Sequence, residues 1–451
     1  AMNSSALFSP KTRMILKGTC IFLALILIVG VCSIPFVFES SSIYYKFGIH
    51  KTLLRNGKVF GIIAATLIFF QMLLVSRLKI LDRIFSLNQM YRCHRISGMV
   101  IFFLVLMHPI LVLASENFTL FPFEIRYWPE LLGSGVWVLI VMLIITARWR
   151  LMFDFAYDKW LCFHRLGTIL SIGLLTVHIL FVSDTFKSGL PQALVFVAAG
   201  IALLLISRLW YRRLFPGKRR FVVSNVENIG QDAYAVAVKP DNGQMLKYIP
   251  GQFAFITPVS ENLPKEEHPF TISSSPSRPD ALQFVIRSRG DWTRNIHRLK
   301  AGEPVFIDGP YGRFSHRVCP GNDPMIMIAG GIGITPMLSM LRYMADRDDQ
   351  RQILLIWSNK AKEYIVFPEE FKHLECVLRG LKINHVITRG RSGGHEKGRL
   401  DKTKLERLLE GFSRKSIVFI CGPVKMIKGI SRNLKKIGFS SARIYKEEFG
   451  L

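Results

Sequence analysis

Cysteine is scarce and unpatterned in this 451-residue chain. The seven cysteines, Cys20, Cys32, Cys93, Cys162, Cys319, Cys376 and Cys421, include no CxxC pair and no regular spacing. That excludes a zinc ribbon, an iron–sulfur cluster and a disulfide framework. Acidic residues are also few, 32 Asp and Glu against 59 Lys and Arg, for a formal net charge of +27. No single basic tract accompanies the excess, so nucleic acid is not implied as a partner. Many of the cations sit at the ends of apolar segments, where membrane topology accounts for them. The GxGxxG fingerprint is missing, and so is a calcium-binding loop sequence. The first apolar run is too long, and lacks the small-residue cleavage site, to be a signal peptide.

What is abundant is apolar sequence, half of all residues, and it is concentrated before about residue 210. Long apolar stretches occupy roughly 15–38, 58–76, 96–115, 131–147, 165–183 and 190–210. Most approach the ~20 residues a helix needs to cross the hydrocarbon core. The fourth, LLGSGVWVLIVMLIITA, is short. The remainder reads as ordinary α/β sequence, so the pattern is a membrane half followed by a soluble half. Six spans place both termini on one side. Lys11, Arg13 and Lys17, then Arg77 to Arg95, then Arg148 to Arg165, and finally WYRRLFPGKRR mark that side as cytoplasmic. Lys46, Lys51, Arg55 and Lys58 weaken the contrast on the other side.

Four of the eleven histidines lie in or at the ends of these spans. His94 and His108 flank span three, and His164 and His178 flank span five, each pair fourteen residues apart. Fourteen residues of helix rise about 21 Å and return to within about 40° of the same face. Spans three and five run in the same direction, so His94 stands level with His164 and His108 with His178. Two level pairs of neutral imidazoles suit two stacked b-type haems. Arg95 and Arg165 stand beside the inner histidines, either as propionate partners or as interfacial charges. Both axial positions of each iron would be filled, which points to outer-sphere reduction of an external acceptor.

The soluble half carries a second set of signals. Tyr248-Ile249-Pro250-Gly251 is a turn into an apolar strand, followed by His268-Pro269-Phe270-Thr271-Ile272-Ser273 and by Gly290-Asp291-Trp292-Thr293. Small residues, hydroxyls and amides beside an aromatic can embrace a flavin. Met325 to Ala329 reads as a buried parallel strand running into Gly330-Gly331-Ile332-Gly333-Ile334-Thr335-Pro336 and a helix. Such a turn sets amides and a helix N-terminus against a pyrophosphate. Two later strands end at Ser358-Asn359-Lys360 and at Cys421-Gly422-Pro423, where ligands of open α/β sheets bind. Ser358, Lys360 and Arg389 suit a 2′-phosphate, or are solvated loop residues.

Taken in order, the two histidine pairs, HPFTIS, IRSRGDWT, DGPYGRF, GGIGITPML, CGP and a near-terminal aromatic resemble the NADPH oxidase and ferric reductase superfamily over nearly the whole chain. The chain looks most like a prokaryotic NADPH oxidase homologue. The resemblance implies a membrane α-helical bundle of six transmembrane helices over residues 1–213, carrying two haem b groups. A ferredoxin–NADP reductase-like module follows, with a β-barrel FAD domain at 214–320 and an α/β Rossmann-like nucleotide domain at 321–451. His268, Pro269, Phe270, Thr271, Ser273, Arg287, Gly290 and Thr293 are then expected at FAD. Gly330, Gly331, Gly333, Thr335, Pro336, Gly422 and Pro423 are expected at NADPH or NADH. Cys421 is expected near the nicotinamide, and Phe449 over the flavin ring. Lys58 takes the place of an arginine that oxidases of the family tend to carry near the outer haem, with Arg55 one turn away.

The implied activity is transfer of electrons from cytoplasmic NAD(P)H through FAD and two haems to external oxygen, producing superoxide. A transmembrane ferric or cupric chelate reductase with the same cofactors is the alternative, and a non-enzymatic haem protein is a third, more distant reading. The expected setting is the plasma membrane of a bacterium, in contact with membrane lipid. The sequence implies no partner subunit.

Overall fold

The computed structural model describes residues 8–39, 45–119, 124–150, 152, 155, 157–187, 189–214, 220–278, 280–319, 321–390 and 393–448. Phe449, expected over the flavin, lies outside the described residues. The chain forms two compact units, residues 11–215 and residues 216–451.

The first unit is helical. Its elements are α1 (Pro10–Val37), α2 (Gly48–Val75), the short α3 (Lys79–Ile84), α4 (Leu87–Ser115), α5 (Trp128–Arg148), α6 (Tyr157–Val182) and α7 (Gly189–Leu214). Six of these helices are long and apolar enough to cross a membrane, matching the six apolar runs in number. Their ends differ from the runs. α2 begins ten residues before the apolar stretch because polar residues extend the helix rather than end it. Lys51 and Arg55 on its first turns pair with Glu39, at 3.3 and 2.5 Å, and Arg55 also lies over the Phe36 ring. Two of the cations that blur the charge asymmetry are thus neutralised locally. α5 is longer than its apolar run as well, with Pro129 in its first turn, where proline's fixed φ and missing N–H cost nothing.

Side chains of α2, α4, α5, α6 and α7 share one apolar core that includes Ala64, Ile68, Ile101, Val105, Val136, Ile140, Ile172 and Ala202. Glycines let the helices approach. A Cβ on Gly57 would stand 3.1 Å from Val112 Cγ2 on α4, and one on Gly167 would stand 2.7 Å from Leu143 Cδ2 on α5.

The second unit contains two sheets. β1 (Arg220–Gly230), β2 (Ala233–Pro240), β3 (Phe253–Pro258), β4 (His268–Thr271), β5 (Leu282–Arg287) and β6 (Pro304–Tyr311) form an antiparallel sheet in the order β4-β3-β6-β1-β2-β5. It curls around a core of Phe221, Val238, Ile256, Ile272, Phe284, Ile286 and Val305.

The nucleotide half is built from β7 (Met325–Gly330), α8 (Thr335–Ala345), β8 (Ile353–Asn359), α9 (Pro368–Val377), β9 (Leu381–Ile387), β10 (Glu396–Lys397), α10 (Lys402–Leu408), β11 (Ile417–Gly422), α11 (Val424–Lys436) and β12 (Ile444–Glu448). The strands lie parallel in the order β10-β9-β8-β7-β11-β12. β7 is buried along its whole length. Met325 and Met327 enter the core on one face and Ile326 and Ile328 the core on the other, each fully buried side chain contributing about 1.5–3 kcal/mol. Strand order reverses between β7 and β11, so the crevice at their carboxyl ends is where a ligand would bind.

Candidate functional site

In the helical unit the four expected histidines fall on α4 and α6, and the structure brings the inner pair together. The His94 and His164 ring centroids lie 6.4 Å apart with planes at 80°. Two metal–nitrogen bonds of about 2.0 Å, plus about 1.2 Å from each ring centre to its nitrogen, give about 6.4 Å for imidazoles on opposite sides of one metal ion. Their Nδ1 atoms are buried and have no protein partner. The Trp160 ring stacks on His164 at 5.3 Å.

The outer pair is held differently. His108 Nδ1 lies 2.8 Å from the carbonyl oxygen of Gly57, and His178 Nδ1 lies 2.8 Å from that of Pro129. A carbonyl only accepts, so each Nδ1 carries the hydrogen and each Nε2 keeps its lone pair free for a metal. Glycines make room for the two rings: a Cβ on Gly61 would stand 2.8 Å from His108 Nδ1, and one on Gly133 would stand 2.4 Å from His178 Cε1. Both pairs therefore fit the two haems that the histidine spacing implies. Lys58, near the outer pair, donates to Ser183 Oγ at 3.1 Å and Thr185 Oγ1 at 3.4 Å. None of the glycines or carbonyls was singled out by sequence.

In the second unit, β4 carries His268 to Thr271 antiparallel to β3. His268 packs on Trp292 with ring centroids 4.3 Å apart, and Phe270 stacks on the same indole. His268 also meets Glu266 through Nε2 at 3.0 Å. Burial holds its pKa below the ordinary value, against the opposing pull of that carboxylate. Two expected hydroxyls are engaged locally. Ser273 Oγ donates to the Gln283 carbonyl, and Thr293 Oγ1 accepts from the amides of Arg289 and Gly290, closing the Gly290–Thr293 turn. Arg287 ends β5 with Nε donating to Asp232 Oδ2 at 2.7 Å.

The glycine-rich turn after β7 is shaped by contact. Gly331 has φ of +55°, which glycine adopts without the Cβ penalty. A Cβ on Gly333 would stand 2.4 Å from the Cys421 carbonyl oxygen, and one on Gly422 would stand 3.1 Å from Gly330 Cα. The expected residues of the first and last motifs thus interlock across the β7–β11 reversal. Thr335 and Pro336 start α8, whose N-terminus follows the turn directly. Trp357, fully buried on β8, donates its indole N–H to the Gly331 carbonyl at 2.9 Å. Only its place in ILLIWSN hinted at this role.

Lys360 and Arg389, distant in sequence, are brought together: the Arg389 amide donates to the Lys360 carbonyl at 2.8 Å, and the Thr388 amide to that of Asn359. Both side chains are exposed and Ser358 is half-buried. Asn359 is buried, and neither polar atom of its amide has a partner. Cys421 has no exposed surface, and burial, reinforced by Glu447, pushes its thiol pKa up. As placed, it packs the core, and contact with a nicotinamide requires movement of its surroundings.

Comparison with known proteins matches each part separately. Residues 60–175 match the family described as ferric reductase like transmembrane component. Residues 219–315 match an FAD-binding domain, and residues 327–432 an oxidoreductase NAD-binding domain. Among curated proteins, the chain is 35% identical over 211 residues to sulfhydrogenase 2 subunit gamma of Pyrococcus furiosus, covering 44% of this chain and 70% of that one. It is 30% identical over 248 residues to flavohemoprotein A of Dictyostelium discoideum, covering 51% and 60%. Over 188 residues it is 29% identical to the glycine betaine monooxygenase reductase subunit of Chromohalobacter salexigens, covering 40% and 50%. For those last two relatives the chain spans only 60% and 50% of their length. Among solved structures, the FAD/NAD-binding domain of nitric oxide dioxygenase from Vibrio cholerae aligns at a TM-score of 0.46 with 21% identity, covering 52% of this chain and 99% of that one.

Proposed function

The chain belongs to the NADPH oxidase and ferric reductase superfamily, and on that premise we propose that it is a transmembrane NAD(P)H oxidase. It would oxidise cytoplasmic NAD(P)H and reduce external oxygen to superoxide, two oxygen molecules per nicotinamide with release of one proton. The observation that carries this reading is the pairing of His94 with His164 at 6.4 Å, with His108 and His178 each presenting a free Nε2. When bound, FAD accepts two electrons together and releases them singly, and two b-type haems carry single electrons across the bilayer.

The residues supply placement. His268, Pro269, Phe270, Thr271, Ser273, Gly290 and Thr293 would line the flavin site, with Trp292 as the platform under His268 and Phe270. Gly330, Gly331, Gly333, Thr335, Pro336, Gly422 and Pro423 would form the nucleotide crevice. Lys360 and Arg389, adjacent through their backbones, would receive a 2′-phosphate with Ser358, favouring NADPH. His94, His164, His108 and His178 would hold the two haems and leave the irons no open position, so the acceptor would be reduced without binding the metal. Lys58 offers a cation near the outer pair to an anionic product. The unit before residue 215 would lie in the plasma membrane with the second unit cytoplasmic, a setting supported by the cation distribution.

A second reading, reduction of ferric or cupric chelates, is favoured by the family matched over residues 60–175. Purified chain with NADPH and cytochrome c distinguishes the two. Reduction abolished by superoxide dismutase supports the oxidase, and reduction that ignores the dismutase refutes it in favour of direct transfer.

A further inference from the structure

The glycine turn after β7 is met by one side chain from the antiparallel sheet. A Cβ on Gly331 would stand 2.9 Å from Arg287 Nη1, with no other heavy atom of the described residues, beyond its chain neighbours, within 4 Å. Arg287 is held there from two directions. Its Nε donates to Asp232 in the β1–β2 turn at 2.7 Å. Its Cζ lies 4.6 Å from the ring centre of Tyr364, just beyond β8. Arg287, Asp232, Gly331, Trp357 and Tyr364 line one cleft. Among the described residues only the Nε of Arg287 has a hydrogen-bond partner, and the side chain keeps 18% of its surface exposed. An oriented guanidinium with both Nη groups open is a fork matched to phosphate oxygens. It stands at a turn followed by a helix N-terminus, which favours anions.

We infer that Arg287, oriented by Asp232 and Tyr364, binds the pyrophosphate of the nicotinamide dinucleotide, and so serves the nucleotide site rather than the flavin site where the family resemblance puts it. This rests on the proposed reading that NAD(P)H binds at the Gly330–Thr335 turn. The resemblance carries Arg287 to the flavin as part of the matching stretch IRSRGDWT. The fold aims it across to the other half of the unit.

The test is calorimetric titration of the purified full chain with NADP+, with FAD measured per chain. Arg287→Gln is expected to raise the NADP+ Kd at least about tenfold, the size of one charged hydrogen-bonded contact, with FAD content unchanged. Arg287→Lys, which keeps the charge but loses the fork, should fall between. Asp232→Asn, which weakens the partner that orients Arg287 without altering the glycine turn, is a second probe. It should weaken NADP+ while leaving FAD in place, and it decides the matter if the Arg287 variants misfold. Loss of FAD from Arg287→Gln with an unchanged Kd in the flavin-loaded fraction would return Arg287 to the flavin site and overturn the inference. Unchanged Kd and FAD together would overturn it too. If the wild-type chain binds neither NADP+ nor NAD+, the proposed function falls first and this inference with it. Tight wild-type binding with an unaffected Arg287→Gln sinks this inference alone.

Discussion

Gly133→Ala should remove one haem and leave the other. Gly133 lies on α5 opposite His178, and an added Cβ would stand 2.4 Å from His178 Cε1 and 2.7 Å from Nδ1. Ordinary carbon contacts begin near 3.5 Å, so the imidazole must move by about 1 Å. Its 2.8 Å hydrogen bond to the Pro129 carbonyl cannot survive that shift in full. A metal–nitrogen bond of about 2.0 Å tolerates it even less. Loss of such a supporting bond alone costs about 10- to 100-fold in metal affinity, and overpacking adds about 1–3 kcal/mol. Gly135→Ala, two residues along the same helix, is the control, because a Cβ there meets nothing within 4 Å. The assay is the pyridine haemochrome of purified protein, with FAD counted alongside. About one haem per chain is expected in Gly133→Ala and about two in Gly135→Ala, both with normal FAD. Two haems per chain and an unaltered visible spectrum in Gly133→Ala would refute both the placement of His178 and its role as a ligand.

Gly333→Ala should weaken NADP+ binding and lower the melting temperature, at a cost of about 1–3 kcal/mol, since its Cβ meets the backbone oxygen of Cys421 at 2.4 Å and nothing there can swing aside. Arg342→Met removes a bidentate pair with Glu370 and hydrogen bonds to the Ser273 carbonyl and Gln283; a destabilisation of about 2–3 kcal/mol, read as earlier thermal release of FAD, is expected. Burial, with Arg351 and Arg317 and against Asp349, lowers the His316 pKa to about 3. The unfolded chain therefore binds a proton that the folded chain does not once pH drops below about 6.5. Stability from this group is full above that pH and declines by up to ~1.4 kcal/mol per pH unit toward pH 3. His316→Leu should accordingly flatten the fall in melting temperature between pH 7 and pH 5, and an equal slope in both proteins would refute this.

Hydropathy revealed the six helices but misplaced their ends. Lys51 and Arg55 look like loop residues until Glu39 is seen to neutralise them, and that contact joins positions 39, 51 and 55 only through the fold. Spacing did foretell the level histidines, because 3.6 residues per turn is a rigid rule. It was silent on their supports. The carbonyls of Gly57 and Pro129 are backbone atoms on other helices, and no side-chain pattern records which carbonyl an imidazole will find. The nucleotide crevice was legible where a short segment does the work, as in Gly330 to Pro336. It was illegible where distant segments meet: Trp357 on the Gly331 carbonyl, Arg389 on the Lys360 carbonyl, and Arg287 turned from the flavin motif toward the glycine turn. Two residues of that motif, Ser273 and Thr293, also use their hydroxyls to close the local backbone, a role that motif matching does not separate from ligand contact.

The glycines connect the two halves of the chain more closely than the motifs do. In the nucleotide half they are conspicuous because they cluster, and the structure shows why each is required: Gly331 leaves room for a guanidinium, Gly333 for a carbonyl, and Gly422 for the Gly330 backbone. In the membrane half the same device is scattered. Gly61 and Gly133 each leave room for one imidazole, and Gly57 both lets α4 approach and offers the carbonyl that sets the His108 tautomer. The inner histidines have no such anchor, their Nδ1 atoms being buried without protein partners. Orientation of the inner pair must therefore come from ring packing, notably of Trp160 on His164, whereas the outer pair is fixed by backbone. A substitution at an outer glycine should thus act on one imidazole and one haem, while a substitution at Trp160 should loosen the inner pair without abolishing its ligation.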